Sequence, residues 1–480
     1  MAGALRLSAG ALLLAVPTAL AFFSGGYFAE PRLIAGAVIW ALVIAAAWLV
    51  PQAWLRQRPG QWALLGLVLL TVLVGLSILW APLRSSAQAD LQRLLLYLGA
   101  FLASIALLRG RSGLRLVEPV LGFGALLVTL YALAARVLPG FVHEAASQSA
   151  AGRLEQPLTY WNASGILAAV GLIVLLRVAA DPSRVGWLRS LALGAVVPLG
   201  VGVYLTFSRG ALVAVAVGAI LLIVFCRERR QMRVIVVGVG GAVAASIVAA
   251  LLPAARTLQG SLSTREREGL ILLAGILIVV AATIFLARRW ADRASERPLS
   301  SSRVLVASLA AVVVLGFIAA AAGNGSSAGQ PRFGADTRRL ASFESNRYAY
   351  WKVAGGMFAA APFVGDGAGS FRVVWRRERT ILDPALDAHS LYIETAAELG
   401  LLGLLSLALF LGGVAWSGRN VLRGRRAEVS GSLAALGALA VHAGLDWDWE
   451  MPAVALVGLL LAGAVVAANE ELSDAASSQR

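Results

Sequence analysis

The sequence of 480 residues contains one cysteine, one lysine and three histidines, and only 14% of it is charged. Cys226, alone, can form neither an intramolecular disulfide nor a multi-cysteine metal centre. No HExxH pattern occurs, so the helical zinc signature is missing too. Soluble domains carry about a quarter charged residues, well above this chain. Hydrocarbon takes the place of charge: 59% of the residues are hydrophobic and the mean hydropathy is +0.79. Apolar stretches of about 17–25 residues, enough to cross roughly 30 Å of lipid as helices, recur along nearly the whole chain. They are too long and too evenly apolar for barrel strands, and a helix satisfies its own backbone in lipid. The composition thus implies an all-α, polytopic transmembrane bundle of about 12–14 helices.

The pattern predicts spans near 7–28, 33–50, 61–80, 91–108, 114–138, 162–180, 188–206, 210–226, 233–252, 269–287, 303–322, 392–416, 430–445 and 452–468. Residues 1–28 read as a retained first helix rather than a cleaved signal, because the apolar run is long and no soluble domain follows. No broken span and no internal repeat is apparent. The net charge of +15 comes from 41 basic residues against 26 acidic ones. These bases are scattered between apolar segments, which argues against nucleic acid as a partner and for topology signals facing the lipid bilayer. Alternate connections concentrate them, as in Arg227, Arg229, Arg230 and Arg233, or Arg419, Arg423, Arg425 and Arg426. By the positive-inside rule those connections are cytoplasmic, both termini are inside, and the long segment 323–390 is extracytoplasmic. All three histidines, His143, His389 and His442, then fall on the outer side, with Arg153 to Asn162 and with Asp446, Asp448 and Glu450.

Four places on that side stand out. Arg209 lies in Phe207-Ser208-Arg209-Gly210-Ala211, a tight link between apolar runs. An arginine there either reaches lipid phosphate or clamps a substrate phosphate, which a guanidinium grips at two points; Arg153 is a weaker candidate of the same kind. Asn346-Arg347-Tyr348-Ala349-Tyr350-Trp351 opens an amphipathic helical stretch ending at Pro362, followed by a turn containing Gly365 and Gly367. That turn is either purely structural or offers N–H groups to phosphate. His389, in Asp387-Ala388-His389-Ser390-Leu391-Tyr392, sits where the long segment re-enters the membrane, with Glu394 and Glu398 following at helical spacing. Histidine can take a proton near neutral pH, so His389 could act on an acceptor hydroxyl. His442 and Asp446, four apart, either pack the bundle or support a substrate. A zinc ion on His389, His442 and Asp446 lacks any supporting pattern, and no metal is expected.

Taken together and in order, these segments resemble the O-antigen ligase and O-antigen polymerase superfamily. They are Phe207 to Ala211, Asn346 to Trp351, Pro362 to Phe371, and His389 to Tyr392 followed by Glu398-Leu399-Gly400-Leu401-Leu402-Gly403. The likeness covers roughly 190–412, a core that includes segment 323–390, between N-terminal helices (1–189) and C-terminal helices with a short tail (413–480). The resemblance implies a glycosyltransferase of the C type in a bacterial inner membrane. Its donor would be a polyprenyl-diphosphate-linked glycan and its acceptor a hydroxyl of a glycan, lipid or protein, with no cofactor. Carried across, Arg209 and Arg347, with Arg153, would bind the diphosphate, and His389 would be catalytic. His442, Asp446, Glu398, Gly365 and Gly367 would support them. Ligase and polymerase remain alternatives, and a lipid-linked glycan flippase is the rival from another class.

Overall fold

A computed structural model describes residues 2–50, 55–142, 147–291, 334–335, 346–424 and 426–477. Its helices are α1 (Ala2–Ala21), α2 (Ala29–Leu49), α3 (Arg58–Ser77), α4 (Arg84–Leu107), α5 (Arg111–Val137), α6 (Trp161–Ala180), α7 (Gly186–Leu205) and α8 (Arg209–Cys226). There follow α9 (Arg229–Ala250), α10 (Pro253–Thr257), α11 (Leu262–Ala291), α12 (Arg347–Ala360), α13 (Phe371–Glu378), α14 (Leu391–Gly424), α15 (Arg426–Ala443) and α16 (Pro452–Ser477). Among the described residues twelve helices are long and apolar enough to cross a membrane, and α15 holds a shorter apolar helix, Glu428–Ala443. The chain is a polytopic helical bundle. The expected spans fall on α1–α9, α11 and α14–α16, while that at 303–322 lies outside the described residues. The first helix stops at Ala21, short of the expected boundary, because Ser24, Gly25 and Gly26 take positive φ values of 50°, 66° and 76°.

Hydrophobic periodicity has little to choose between faces in lipid, so burial is set by which helices are surrounded. α6 is buried along its full span and α16 along nearly all of its own, whereas α11 faces mostly outward. Small residues let neighbours come close: a Cβ on Gly165 would lie 2.9 Å from Ala211 on α8, and one on Gly122 of α5 would lie 2.7 Å from Leu175 on α6.

Contacts between connections separate the two ends of the bundle. At one end Tyr160 reaches Asp446 at 2.6 Å, the Leu154 N–H donates to Leu205 O at 2.9 Å, and the Ala368 N–H donates to Ser77 Oγ at 3.1 Å. At the other, the Gln57 N–H donates to Glu470 at 3.1 Å, Arg111 pairs with Glu428 at 3.5 Å, and Arg115 donates to Ser183 O at 2.8 Å.

One span departs from the expectation of unbroken helices. At Gly400 (φ 62°, ψ −156°) α14 loses its regular course. A straight helix would bond Leu401 N–H to Ala397 O and Leu402 N–H to Glu398 O. Instead those two carbonyls accept from Asp366 N–H (3.4 Å) and Gly367 N–H (2.8 Å), and the two amides donate to Pro362 O (2.8 Å) and Phe363 O (3.1 Å). The turn after α12 thus inserts its main chain into the helix and replaces both missing bonds, which is how a break remains tolerable in an apolar setting.

Candidate active site

The segment carrying α12 and α13 has its own small core. Tyr350, Val353, Ala354, Met357, Phe371 and Trp375 pack together against Ala388 and Ala397 at the start of α14. Asp383 ties it further, accepting from Asn346 Nδ2 at 2.6 Å and from the Tyr350 hydroxyl at 2.7 Å. Ser390, whose main-chain O accepts from Glu394 N–H at 2.9 Å, starts α14, and the Glu394 carboxylate reaches back to Ala388 N–H at 2.6 Å. His389 is caught between these bonds with φ at +55°, a left-handed conformation uncommon for any residue but glycine. Its Nδ1 lies 2.9 Å from Asp387 O. A carbonyl can only accept, so Nδ1 carries the proton in the neutral ring and Nε2 keeps its lone pair.

Asp446 is the hub to which the other pieces come. Only 1% exposed, it accepts from the Tyr160 hydroxyl and from Asn162 Nδ2, each at 2.6 Å, from its neighbour's Trp447 N–H at 2.9 Å, and from Arg347 Nη2 at 2.6 Å. Trp447 stands beside three rings, 4.5 Å from Tyr160, 5.8 Å from Tyr27 and 6.4 Å from His389, and His389 also lies 5.1 Å from Tyr350. His442 Nδ1 is paired with Asp448, and its other edge abuts α8: a Cβ on Gly210 would be 2.8 Å from His442 Nε2. Ser208 caps α8 by accepting from Ala211 N–H at 3.2 Å, which sets half-buried Arg209 at the helix start beside His442. Arg209, Arg347, His389, His442 and Asp446 therefore gather at one end of the bundle, from four separate stretches of chain.

The charges are strongly interdependent. Burial opposes ionisation of Asp446, yet Arg347, His389 and His442 around it, with the Tyr160 hydroxyl, hold its carboxyl below the usual carboxylate range. Burial likewise opposes the charge on Arg347, and Asp446 together with Tyr160 more than offsets it, raising the guanidinium above its ordinary value. Asp448 moves the other way: burial raises it, and His442 only partly counters that. Tyr160 is pushed well above an ordinary phenol by burial and then by Asp446. At neutral pH the hub is thus an aspartate–arginine pair with a phenol kept protonated to donate.

The remaining candidates have other surroundings. Arg153 is buried, its guanidinium 3.4 Å above the Trp161 ring, with Nε donating to Ala150 O at 2.8 Å and an Nη donating to Ser149 O. Gly365 N–H donates to Ala361 O at 3.0 Å and Gly367 N–H to Glu398 O, so both amides already serve protein acceptors. A Cβ on Gly365 would overlap the Glu398 carbonyl, and one on Gly367 would lie 2.7 Å from Ala81. The Glu398 carboxylate accepts from Gly369 N–H (2.8 Å) and Phe371 N–H (2.9 Å), holding the turn shut. His143 lies outside the described residues. Among those residues no three His, Cys, Asp or Glu side chains are grouped as a metal ion requires.

Two features escaped the reading of the sequence. Tyr160 and Asn162 are first-contact partners of Asp446 across almost 300 positions, and only their place beside Arg153 in a polar stretch hinted at them. A second ionic cluster lies alongside: Arg93 pairs with both Asp90 and Glu450, Arg32 donates to Gln92 at 3.0 Å, and the Tyr97 hydroxyl donates to Trp449 O at 2.6 Å. The polar start of α4, awkward for a lone span, is explained by Glu450.

Residues 257–408 match the family model described as O-antigen ligase. The match covers 152 of the 480 residues, and over that stretch the chain is similar to the O-antigen ligase family. The match contains Arg347, Gly365, Gly367, His389 and Glu398. Arg153, Arg209, His442 and Asp446 lie outside it and join the O-antigen ligase stretch only through the fold. No curated protein matches the chain.

Proposed function

We propose that the protein transfers a glycan from a polyprenyl-diphosphate-linked donor to an acceptor hydroxyl on the extracytoplasmic face, in the manner of an O-antigen ligase. The observation that carries this reading is the meeting of Arg347 and His389 at the Asp446 hub, with Arg209 starting α8 at the same end of the bundle. An anomeric carbon attached to diphosphate already has a good leaving group, so the protein need supply charge stabilisation and an acceptor base. His389 Nε2 takes the proton of the acceptor hydroxyl as its oxygen bonds to the anomeric carbon. The bond from that carbon to the diphosphate oxygen breaks, and the electron pair leaves with the diphosphate. Arg209 and Arg347 meet the departing charge, with Asp446 holding Arg347 in place and the Arg347 side chain still 24% exposed. One displacement inverts the anomeric configuration. Arg153, stacked on Trp161, serves as a support of the donor pocket wall in this scheme. Because the break at Gly400 is filled by main chain rather than opened as a passage, it favours transfer over translocation.

The test is purified protein given a polyprenyl-diphosphate glycan and candidate acceptors, with His389→Ala and Arg347→Ala alongside wild type. Loss of a general base should slow transfer by about 10²–10⁴-fold. Wild-type rates in both variants would remove the site assignment, and translocation of the donor without a new glycosidic bond would favour a flippase.

A further inference from the structure

A cavity of about 790 Å³ runs between α8, α14, α15 and α16. At one end Tyr392, Asp448 and Trp449 line it, with Asp448 paired to His442. Leu and Val side chains such as Leu411, Val414, Leu436 and Leu459 form its walls. At the far end it is lined by three arginines, Arg227, Arg419 and Arg423. Arg419 and Arg423 are four apart on α14, hence on one face, and Arg227 ends α8 in a left-handed cap (φ 52°, ψ 25°) that turns the chain there.

Several carboxylates described at that end have partners of their own, while Glu228, next to Arg227 in sequence, is exposed. Glu428 faces Arg111, Glu470 accepts from the Arg56 and Gln57 N–H groups, Glu471 accepts from Gly110 N–H, and Glu118 accepts from Ser432 N–H. An apolar slot ending in three exposed guanidiniums is therefore complementary to a molecule with hydrocarbon chains and an anionic head. The donor of the proposed reaction does not fill both requirements, since its diphosphate belongs at the opposite end of the bundle.

We propose that this cavity binds an anionic phospholipid from the leaflet opposite the candidate active site, its phosphate held by Arg227, Arg419 and Arg423 and its acyl chains lying along α14 and α15. The cavity is distinct from the proposed glycan-transfer site and rests on that reading only in assigning the donor diphosphate to the other end; binding of phosphatidylglycerol is measured without any transfer.

Delipidated protein in neutral detergent would be titrated with phosphatidylglycerol or phosphatidylcholine, reading bound lipid by native mass spectrometry and thermal unfolding. Phosphatidylglycerol should bind at one site and raise Tm, and phosphatidylcholine should not. Each arginine near a lipid head contributes about fivefold, so Arg419→Ala with Arg423→Ala should weaken binding roughly 25-fold. Both side chains are exposed, so this variant should keep the wild-type Tm without lipid. Ala415→Trp, which fills the slot and leaves the charges, should also abolish binding. Equal binding of both lipids, or unchanged affinity in the arginine variant, would overturn the proposal. So would displacement of phosphatidylglycerol by a polyprenyl diphosphate, which would give the slot to the donor chain.

Discussion

Replacing Asp446 by Asn probes the hub with almost no change of shape. The wild-type carboxylate serves four donors, Arg347, Tyr160, Asn162 and the Trp447 N–H. An amide offers one acceptor oxygen, and its own N–H₂ would face donors of which only the Tyr160 hydroxyl can also accept, a place already taken by Asn162 Nδ2 at 2.8 Å. Leaving a buried donor unmet costs about 1–3 kcal/mol, and breaking a buried ion pair about 3–5 kcal/mol. These overlap rather than add, so Asp446→Asn should lose about 3–5 kcal/mol. With Arg347→Met, a double-mutant cycle should give a coupling of about 0.5–3 kcal/mol. The pH dependence has a definite sign. The folded pKa is held below the unfolded value of about 3.9, so the stabilisation is complete above that value and disappears as pH falls through the folded one. The Asp446 contribution to the gap between wild type and variant should be present at about pH 5 and above and be lost only in stronger acid. Thermal unfolding in detergent across that range, with transfer measured at neutral pH, makes the check. A variant with wild-type Tm and wild-type transfer would refute the hub.

Gly365→Ala would drive a methyl into the Glu398 carbonyl at a φ of 66°, and should cost at least roughly 1–3 kcal/mol in unfolding experiments. Gly355→Ala, on the exposed face of α12 with open space around it, should instead stabilise by about 0.5–1 kcal/mol. Arg93→Met leaves Asp90 and Glu450, both mostly buried, without their shared cation, and should lower stability by about 3–5 kcal/mol at most in the same assay. A reporter fused after Arg230 should report the cytoplasm and one near Gly329 the outside; the two exchanged would reverse the orientation assigned from the arginines, and the same compartment for both would refute the odd number of spans between them.

The spans were legible because lipid imposes a length and a composition that few other structures share. Leu262–Arg289, with a mean hydropathy of 3.0 over its best window, needs no partner to be recognised. The ends of the spans were less legible: glycine conformation at Gly25 and Gly26 stops α1, and nothing in apolar content marks that. His389, Arg209, Arg347 and Asp446 could be singled out as polar residues out of place near hydrocarbon. Their meeting could not, because it depends on how α6, α8, α12 and α15 pack. Gly400 shows the same limit. Its glycine and the Gly365–Gly367 turn were both visible, but that one fits into the other is a pairing of main chains, which side-chain identity does not encode.

That interlock has a mechanical consequence. Four amide–carbonyl bonds join the chain after α12 to the break in α14, and none can be released singly without exposing its partner. The turn from Pro362 to Gly367 is consequently fixed to α14 around Gly400 and cannot swing away from it as a free flap. The opposite flank of His389 is fastened to the hub by the Arg347–Asp446 contact, a side-chain link that can part without disturbing any main-chain bond.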